Sequence, residues 1–302
     1  MINPETFAEE HIRNIQQSTK RDPALIERTI FALGLLEALA RSELPLIFKG
    51  GTSLILLLDE PRRFSTDIDI IVPIGTEIEK YLETTAKIWP FIKMTEHIRK
   101  IESNIEKRHF KFTFASPTEK AEHTILLDIL FENNPYTTIL EKSIDNELLL
   151  IIDSPPVFVQ IPNANCILAD KLTAFAPSTT GIPYNINKEM EIIKQLYDVA
   201  SLINEIDDFS EIKANYHRIA ESELKYRRID AKLDDVLNDT IKTSICIASR
   251  GQYYHDEYLM LKKGISGLRN HVYSENFSGE IAVQRACMVM CVAAAGLTNQ
   301  SE

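Results

Sequence analysis

Apolar residues recur at helical spacing between Glu5 and Ser42, through Leu25, Ile26, Ile30, Leu33, Leu36 and Leu39, and Asp22-Pro23 has the residue types of a helix start. Leu46-Ile47-Phe48 reads as a short buried strand or helix approach, Lys49-Gly50-Gly51-Thr52 as a turn, and Ser53 to Leu58 as the first turns of a helix. The period then falls to two. Ile68–Val72, Phe110–Phe114 and Thr124–Phe131 read as strands, Pro155–Gln160 as an edge strand, and Glu77–Trp89 as a helix between them. From about Asn165 only helical patterns remain: Cys166–Phe175, Glu189–Asn204, Glu211–Tyr226, Asp234–Ser249, His255–Leu268 and Glu280–Leu297. Pro177–Asn187, rich in turn formers, joins the first two as a candidate mobile loop. The pattern predicts an α+β (mixed α/β) chain: an N-terminal domain over residues 1–164 with a small mixed sheet, then a helical domain over residues 165–302.

A chain of 302 residues with 44% hydrophobic content can bury a sizeable core. The first residues lack the apolar run of a signal peptide. The longest apolar run, Ala286–Leu297, is short of the roughly 20 residues a membrane span needs and predicts a buried helix. These features predict a cytoplasmic protein with no membrane partner. Cys166 and Cys246 stand alone, and Cys287 and Cys291 share one helical face without a His or Cys to complete a zinc site. All four read as reduced core thiols. A net charge of −11 argues against a module that binds nucleic acid by charge alone, though a local basic face remains open to an RNA. Two clusters qualify: Arg99, Lys100, Lys107, Arg108, His109 and Lys111; and Arg218, Lys225, Arg227, Arg228 and Lys232, the latter interspersed with acids.

The chemistry concentrates between Lys49 and Ile70. On a strand, Asp67 and Asp69 point to the same side while Ile68 points to the other. Two carboxylates so placed suit magnesium, or manganese, which takes a few carboxylate oxygens together with phosphate oxygens. Gly50 and Gly51 permit a turn that side chains would block. Thr52 and Ser53 follow at a helix start, where N–H groups and hydroxyls suit a phosphate. Asp128 is the one charge within Ile125–Phe131, and a lone carboxylate in an apolar strand needs a cation or a metal beside it. It is the third candidate metal ligand. Arg63, before the paired acids, is a candidate for bidentate phosphate binding.

The segments Phe48-Lys49-Gly50-Gly51-Thr52-Ser53-Leu54 and Arg62-Arg63-Phe64-Ser65-Thr66-Asp67-Ile68-Asp69-Ile70 resemble the nucleotidyltransferase superfamily, whose hallmark is G-[GS]-[ST], a spacer, and D-x-D. More narrowly they resemble the AbiEii/AbiGii-like toxins. Those relatives carry a Lys in an E/D-K-L helix and an Asp in a D-L-Y-D-L helix, matched here by Asp170-Lys171-Leu172 and Leu196-Tyr197-Asp198-Val199. Where relatives often have a basic residue ahead of L-Y-D, this chain reads Ile193-Lys194-Gln195. The resemblance spans most of residues 25–205; the last hundred residues carry no matching motif.

The resemblance implies an enzyme that moves a nucleotidyl group from a nucleoside triphosphate to an acceptor with magnesium. Asp67 and Asp69 would hold metal, Asp128 would complete or activate the set, and Gly50, Gly51, Thr52, Ser53 and Arg63 would bind nucleotide. Lys171 would neutralise phosphate charge, and Asp198 would either orient Lys171 or act near the acceptor hydroxyl. Ser65 would brace the turn. It also implies the toxin of a toxin–antitoxin or phage-defence pair with a cognate antitoxin, and, from relatives that modify the 3′ end of tRNA, a tRNA acceptor. Transfer to a protein or small molecule, or a non-catalytic scaffold, are the alternatives.

Overall fold

In a computed structural model, which describes residues 1–59, 62–98 and 106–298, the chain forms two compact units. The first comprises residues 1–134 and 139–162; the second comprises 135–138 and everything from residue 163 onward.

Unit one is built on a seven-stranded mixed sheet. Its strands are β1 (Ile47–Lys49), β2 (Asp67–Val72), β3 (Phe91–Glu96), β4 (Lys107–Ala115), β5 (Glu122–Phe131), β6 (Ile139–Ser143) and β7 (Phe158–Pro162), in the order β3-β4-β5-β2-β1-β7-β6. β2–β5 and β1–β7 pair in parallel; every other neighbouring pair is antiparallel. β7 was expected at an edge but lies between β1 and β6, because β6, polar and too short to show a clear alternation, covers it. Helices α1 (Glu9–Thr19), α2 (Pro23–Arg41), α3 (Gly50–Leu57) and α4 (Glu79–Thr85) belong to the same unit.

Helix α2 starts where the sequence predicts: the Asp22 carboxylate accepts from the Ala24 N–H, and Pro23 fills the first turn. It is apolar on nearly every side, so it serves as a central helix rather than a surface one. Its Phe31 ring stacks on Phe114 of β4 with centroids 3.8 Å apart. Ile68 and Ile70 of β2, and Leu127 and Ile129 of β5, are buried, so these strands have one apolar face. α4 is shorter than Glu77–Trp89 predicts, because the chain turns at Trp89-Pro90 into β3.

Unit two is helical: α5 (Ala164–Ala174), α6 (Glu189–Leu202), α7 (Phe209–Arg227), α8 (Leu233–Ala248), α9 (His255–Leu268) and α10 (Gly279–Leu297). Asn163 caps α5, Asp208 caps α7 and Ser278 caps α10, each side chain accepting from an orphan N–H of its first turn. Glu211 ties the 135–138 segment to this unit, accepting from Thr137 and Thr138 hydroxyls at 2.5 and 2.6 Å and from the Asn163 and Asn165 amides at 2.8 and 2.7 Å. Burial works against the charge, but these four donors prevail and hold the carboxyl at about 2. The loop over 177–187, expected to be mobile, is anchored: Asp239 accepts from Ser178 N–H at 2.7 Å and Thr179 Oγ1 at 3.0 Å.

Two expectations fail in α10. Only Ala282, Ala286, Val289 and Ala293 of this apolar helix are buried, and Cys287 and Cys291, read as core thiols, are exposed. Cys166 and Cys246 are buried as expected. By length and composition α10 alone among the described helices could cross a membrane, and most of it is not buried inside the fold.

Candidate active site

The site in unit one is a row of charged side chains across four adjacent strands. β2 pairs with β1 so that Lys49 faces Asp69, with β5 so that Asp69 faces Asp128, and β5 pairs with β4 so that Asp128 faces His109. Directly opposed residues share a sheet face, so Lys49, Asp69, Asp128 and His109 lie side by side, and Asp67 joins them two residues along β2. The opposite face of β2 packs Ile68 and Ile70 into the core, which fixes the direction of both carboxylates.

The glycines make room for this row. The structure replaces the expected turn at 49–52 with a helix that starts directly off β1 at Gly50. Gly50 has φ +80°, and a Cβ there would lie 2.3 Å from Asp69 Oδ2. A Cβ on Gly51 would lie 2.4 Å from Arg63 Nη2. The backbone therefore approaches a carboxylate at one glycine and a guanidinium at the next. Arg63 is buried, and its Nη1 donates to the Phe64 carbonyl at 3.1 Å.

Thr52 and Ser53 are also buried. Ser53 Oγ donates to the Gly50 carbonyl at 2.9 Å. Thr52 Oγ1 lies 2.5 Å from the Asp67 carbonyl and 2.7 Å from Ser65 Oγ. A hydroxyl donates once, so Thr52 donates to the carbonyl and Ser65 donates to Thr52. Ser65 thus braces the turn that delivers Asp67. With both hydroxyls engaged, the groups at this helix start that suit an anion are its backbone N–H groups.

The sequence left Asp128 needing a cation; the structure gives it His109, whose Nδ1 lies 2.7 Å from Asp128 Oδ1. His109 had been grouped only with a basic cluster, and the cross-strand register alone reveals its pairing with Asp128. Arg99 and Lys100 of that cluster lie outside the described residues. Arg108 forks onto Glu96 at 2.8 and 3.1 Å and reaches Glu79 at 2.5 Å, its hydrogen bonds holding both carboxyls below the usual range. In the second cluster Lys225 pairs with Glu221 and Arg227 with Glu223, which makes it a mixed-charge surface. A cleft of about 490 Å³ opens beside Asp67, lined also by Arg28, Thr66, His97, Lys111 and Leu126.

A hard divalent cation fits the oxygen donors of Asp67 and Asp69 on one open face. Among the described residues no three His, Cys, Asp or Glu are grouped closely enough to hold a metal unaided. Such an ion would therefore draw on water or phosphate oxygens as well.

In unit two, Lys171 of α5 and Asp198 of α6 form an ion pair at 3.0 Å, and Lys171 Nζ also donates to Gln195 Oε1 at 3.0 Å. Asp198 is 1% exposed and Lys171 6%. Neither is a solvated surface charge.

A carboxylate pair on a strand, laid against a glycine-led helix on a mixed sheet, is the arrangement of a nucleotidyltransferase. The family model described as nucleotidyl transferase AbiEii toxin, type IV toxin–antitoxin system, matches residues 34–256, and the chain belongs to that family. A search of curated proteins returns no match. Among solved structures, JHP933 from Helicobacter pylori is 15% identical, with a TM-score of 0.50 over 90% of this chain and 93% of that one. A second H. pylori structure, described as a candidate nucleotidyltransferase, is 14% identical, with a TM-score of 0.48 over 90% and 96%. At such identity the likeness to JHP933 is one of fold.

Proposed function

We propose that this nucleotidyltransferase toxin transfers a nucleotidyl group from a nucleoside triphosphate to tRNA in a reaction that requires magnesium or manganese. The observation that carries this reading is the register placing Asp69 beside Asp128, with Asp67 on the same face and the start of α3 against Asp69. A hydroxyl oxygen of the acceptor forms a bond to the α-phosphorus, the bond to the bridging oxygen breaks, and pyrophosphate leaves. Asp67 and Asp69 hold the cation, and the N–H groups at Gly50–Ser53 receive phosphate oxygens, with Arg63 behind them. Asp128 completes the carboxylate set or accepts the proton of the attacking hydroxyl. Lys171 neutralises triphosphate charge, and its buried pairing with Asp198 suits an orienting role for that acid. The divalent ion supplies charge stabilisation to the phosphates, as in phosphoryl transfer generally.

The test is incorporation of each of four radiolabelled nucleoside triphosphates into total tRNA with magnesium, comparing wild type with Asp69→Ala. Label in tRNA that disappears in the variant is the expected result. Label in protein or a small molecule instead would move the acceptor, and no label in any fraction would sink the reading. Membership of a type IV toxin–antitoxin family implies an antitoxin partner; omitting magnesium, with chelator present, is expected to abolish labelling.

A further inference from the structure

A buried imidazole is costly unless it is hydrogen-bonded. His109 is 8% exposed on a central strand, and its Nδ1 bonds a carboxylate in the candidate site rather than a core partner. Asp128, by contrast, keeps 33% of its side chain exposed against 9% for His109. The strand carrying His109 is held in place by the adjacent Arg108, whose fork onto Glu96 and bond to Glu79 fix β4 against β3 and α4. The imidazole thus has a fixed base, and the carboxylate facing it across the strands is set from one side.

We infer that His109 is a positioning residue of the transfer site: by donating Nδ1–H to Oδ1 of Asp128, it sets the rotamer of that carboxylate beside Asp69 and thereby the affinity of the acidic row for a divalent cation. The inference rests on the metal-dependent reading above and adds to it a residue that touches neither nucleotide nor acceptor. The role belongs to a donor at the Nδ1 position, so it predicts which replacement works. Asn places its amide nitrogen where Nδ1 stands; Leu fills similar space with no donor. Partners that orient a ligating group in this way are worth about 10–100-fold in metal affinity.

The experiment is a Mn2+ titration of the full chain, without nucleotide, followed by electron paramagnetic resonance of the free ion. Thermal melts of the same proteins without metal accompany it. His109→Leu should weaken Mn2+ binding about 10–100-fold, and His109→Asn should restore most of it. In an Asp128→Asn background, His109→Leu should add no further loss, because its effect passes through that carboxylate. Wild-type affinity in His109→Leu overturns the proposal. So does equal weakness of the Asn and Leu variants, or an undiminished effect of His109→Leu in the Asp128→Asn background. Asp69→Ala separates the two levels. If it abolishes Mn2+ binding while His109→Leu leaves binding intact, the metal reading stands and the His109 role falls. If wild type itself binds no Mn2+, both fall.

Discussion

Gly50 and Gly75 share a backbone conformation, with φ +80° and +82°, but differ in surroundings. A Cβ on Gly75 meets nothing within 4 Å, whereas one on Gly50 lies 2.3 Å from Asp69 Oδ2 and 3.0 Å from Asp69 Cβ and Cγ. Alanine at either position bears the left-handed penalty of about 1–2 kcal/mol. At Gly50 the carboxylate oxygen must also retreat by about 1 Å to reach ordinary van der Waals contact near 3.4 Å. A misplacement of that size in a catalytic group can cost about 100-fold in rate. Gly75→Ala is therefore expected to lose stability and keep its kcat/KM, while Gly50→Ala loses about 100-fold in kcat/KM with a comparable change in unfolding midpoint. The assay is labelled nucleotide incorporation, paired with urea unfolding of each variant. If Gly50→Ala matches Gly75→Ala in activity, the close approach to Asp69 has no functional consequence and the argument fails.

Three further outcomes follow from unit two. Lys171→Met or Asp198→Leu alone leaves a buried charge uncompensated and should cost about 3–5 kcal/mol in urea unfolding. The double variant should recover most of that stability without recovering transfer; strict additivity would contradict the buried pair. Glu211, held at about 2, contributes stability that is fully present above its unfolded value of 4.5 and is lost as pH falls from there toward 2. The group is partly exposed, so the loss should be about 1–2 kcal/mol rather than the full linkage value, and Glu211→Gln should flatten that part of the curve measured by unfolding at pH 6 and pH 3. With a chromogenic disulfide reagent, Cys287 and Cys291 should react in the folded protein and Cys166 and Cys246 only after denaturation, since burial removes access and also pushes the Cys246 thiol up to about 11. Four fast thiols would contradict the packing of α5 and α8.

What could be read from the sequence was whatever a local pattern writes down. Asp22-Pro23 announced α2, the alternation of Phe110–Phe114 announced β4, and the period of two set Asp67 and Asp69 on one face. Strands β3 and β6 escaped because both are edges with mostly exposed or half-buried residues, so they lack the alternation that burial on one side imposes. The start of α3 was misread as a turn because two glycines are poor helix formers, yet tertiary contact with Asp69 and Arg63 requires them there. Cys287 and Cys291 looked like core residues because apolar composition does not say which side of a helix is covered. His109 was invisible as a partner of Asp128 because register between β4 and β5 is written in no local pattern.

That same register bears on how the protein becomes toxic. Lys49, Asp69, His109 and Asp128 are distant in sequence and meet only through three strand pairings, one of them the parallel union of β2 with β5. Parallel, non-local pairing is slow because the intervening chain must be closed into a loop before any contact rewards it. A growing or partly unfolded chain therefore holds every acid of the row without possessing the row. Transfer activity should arise in one late cooperative step, when β5 docks beside β2, so that newly made toxin stays harmless until its sheet is complete.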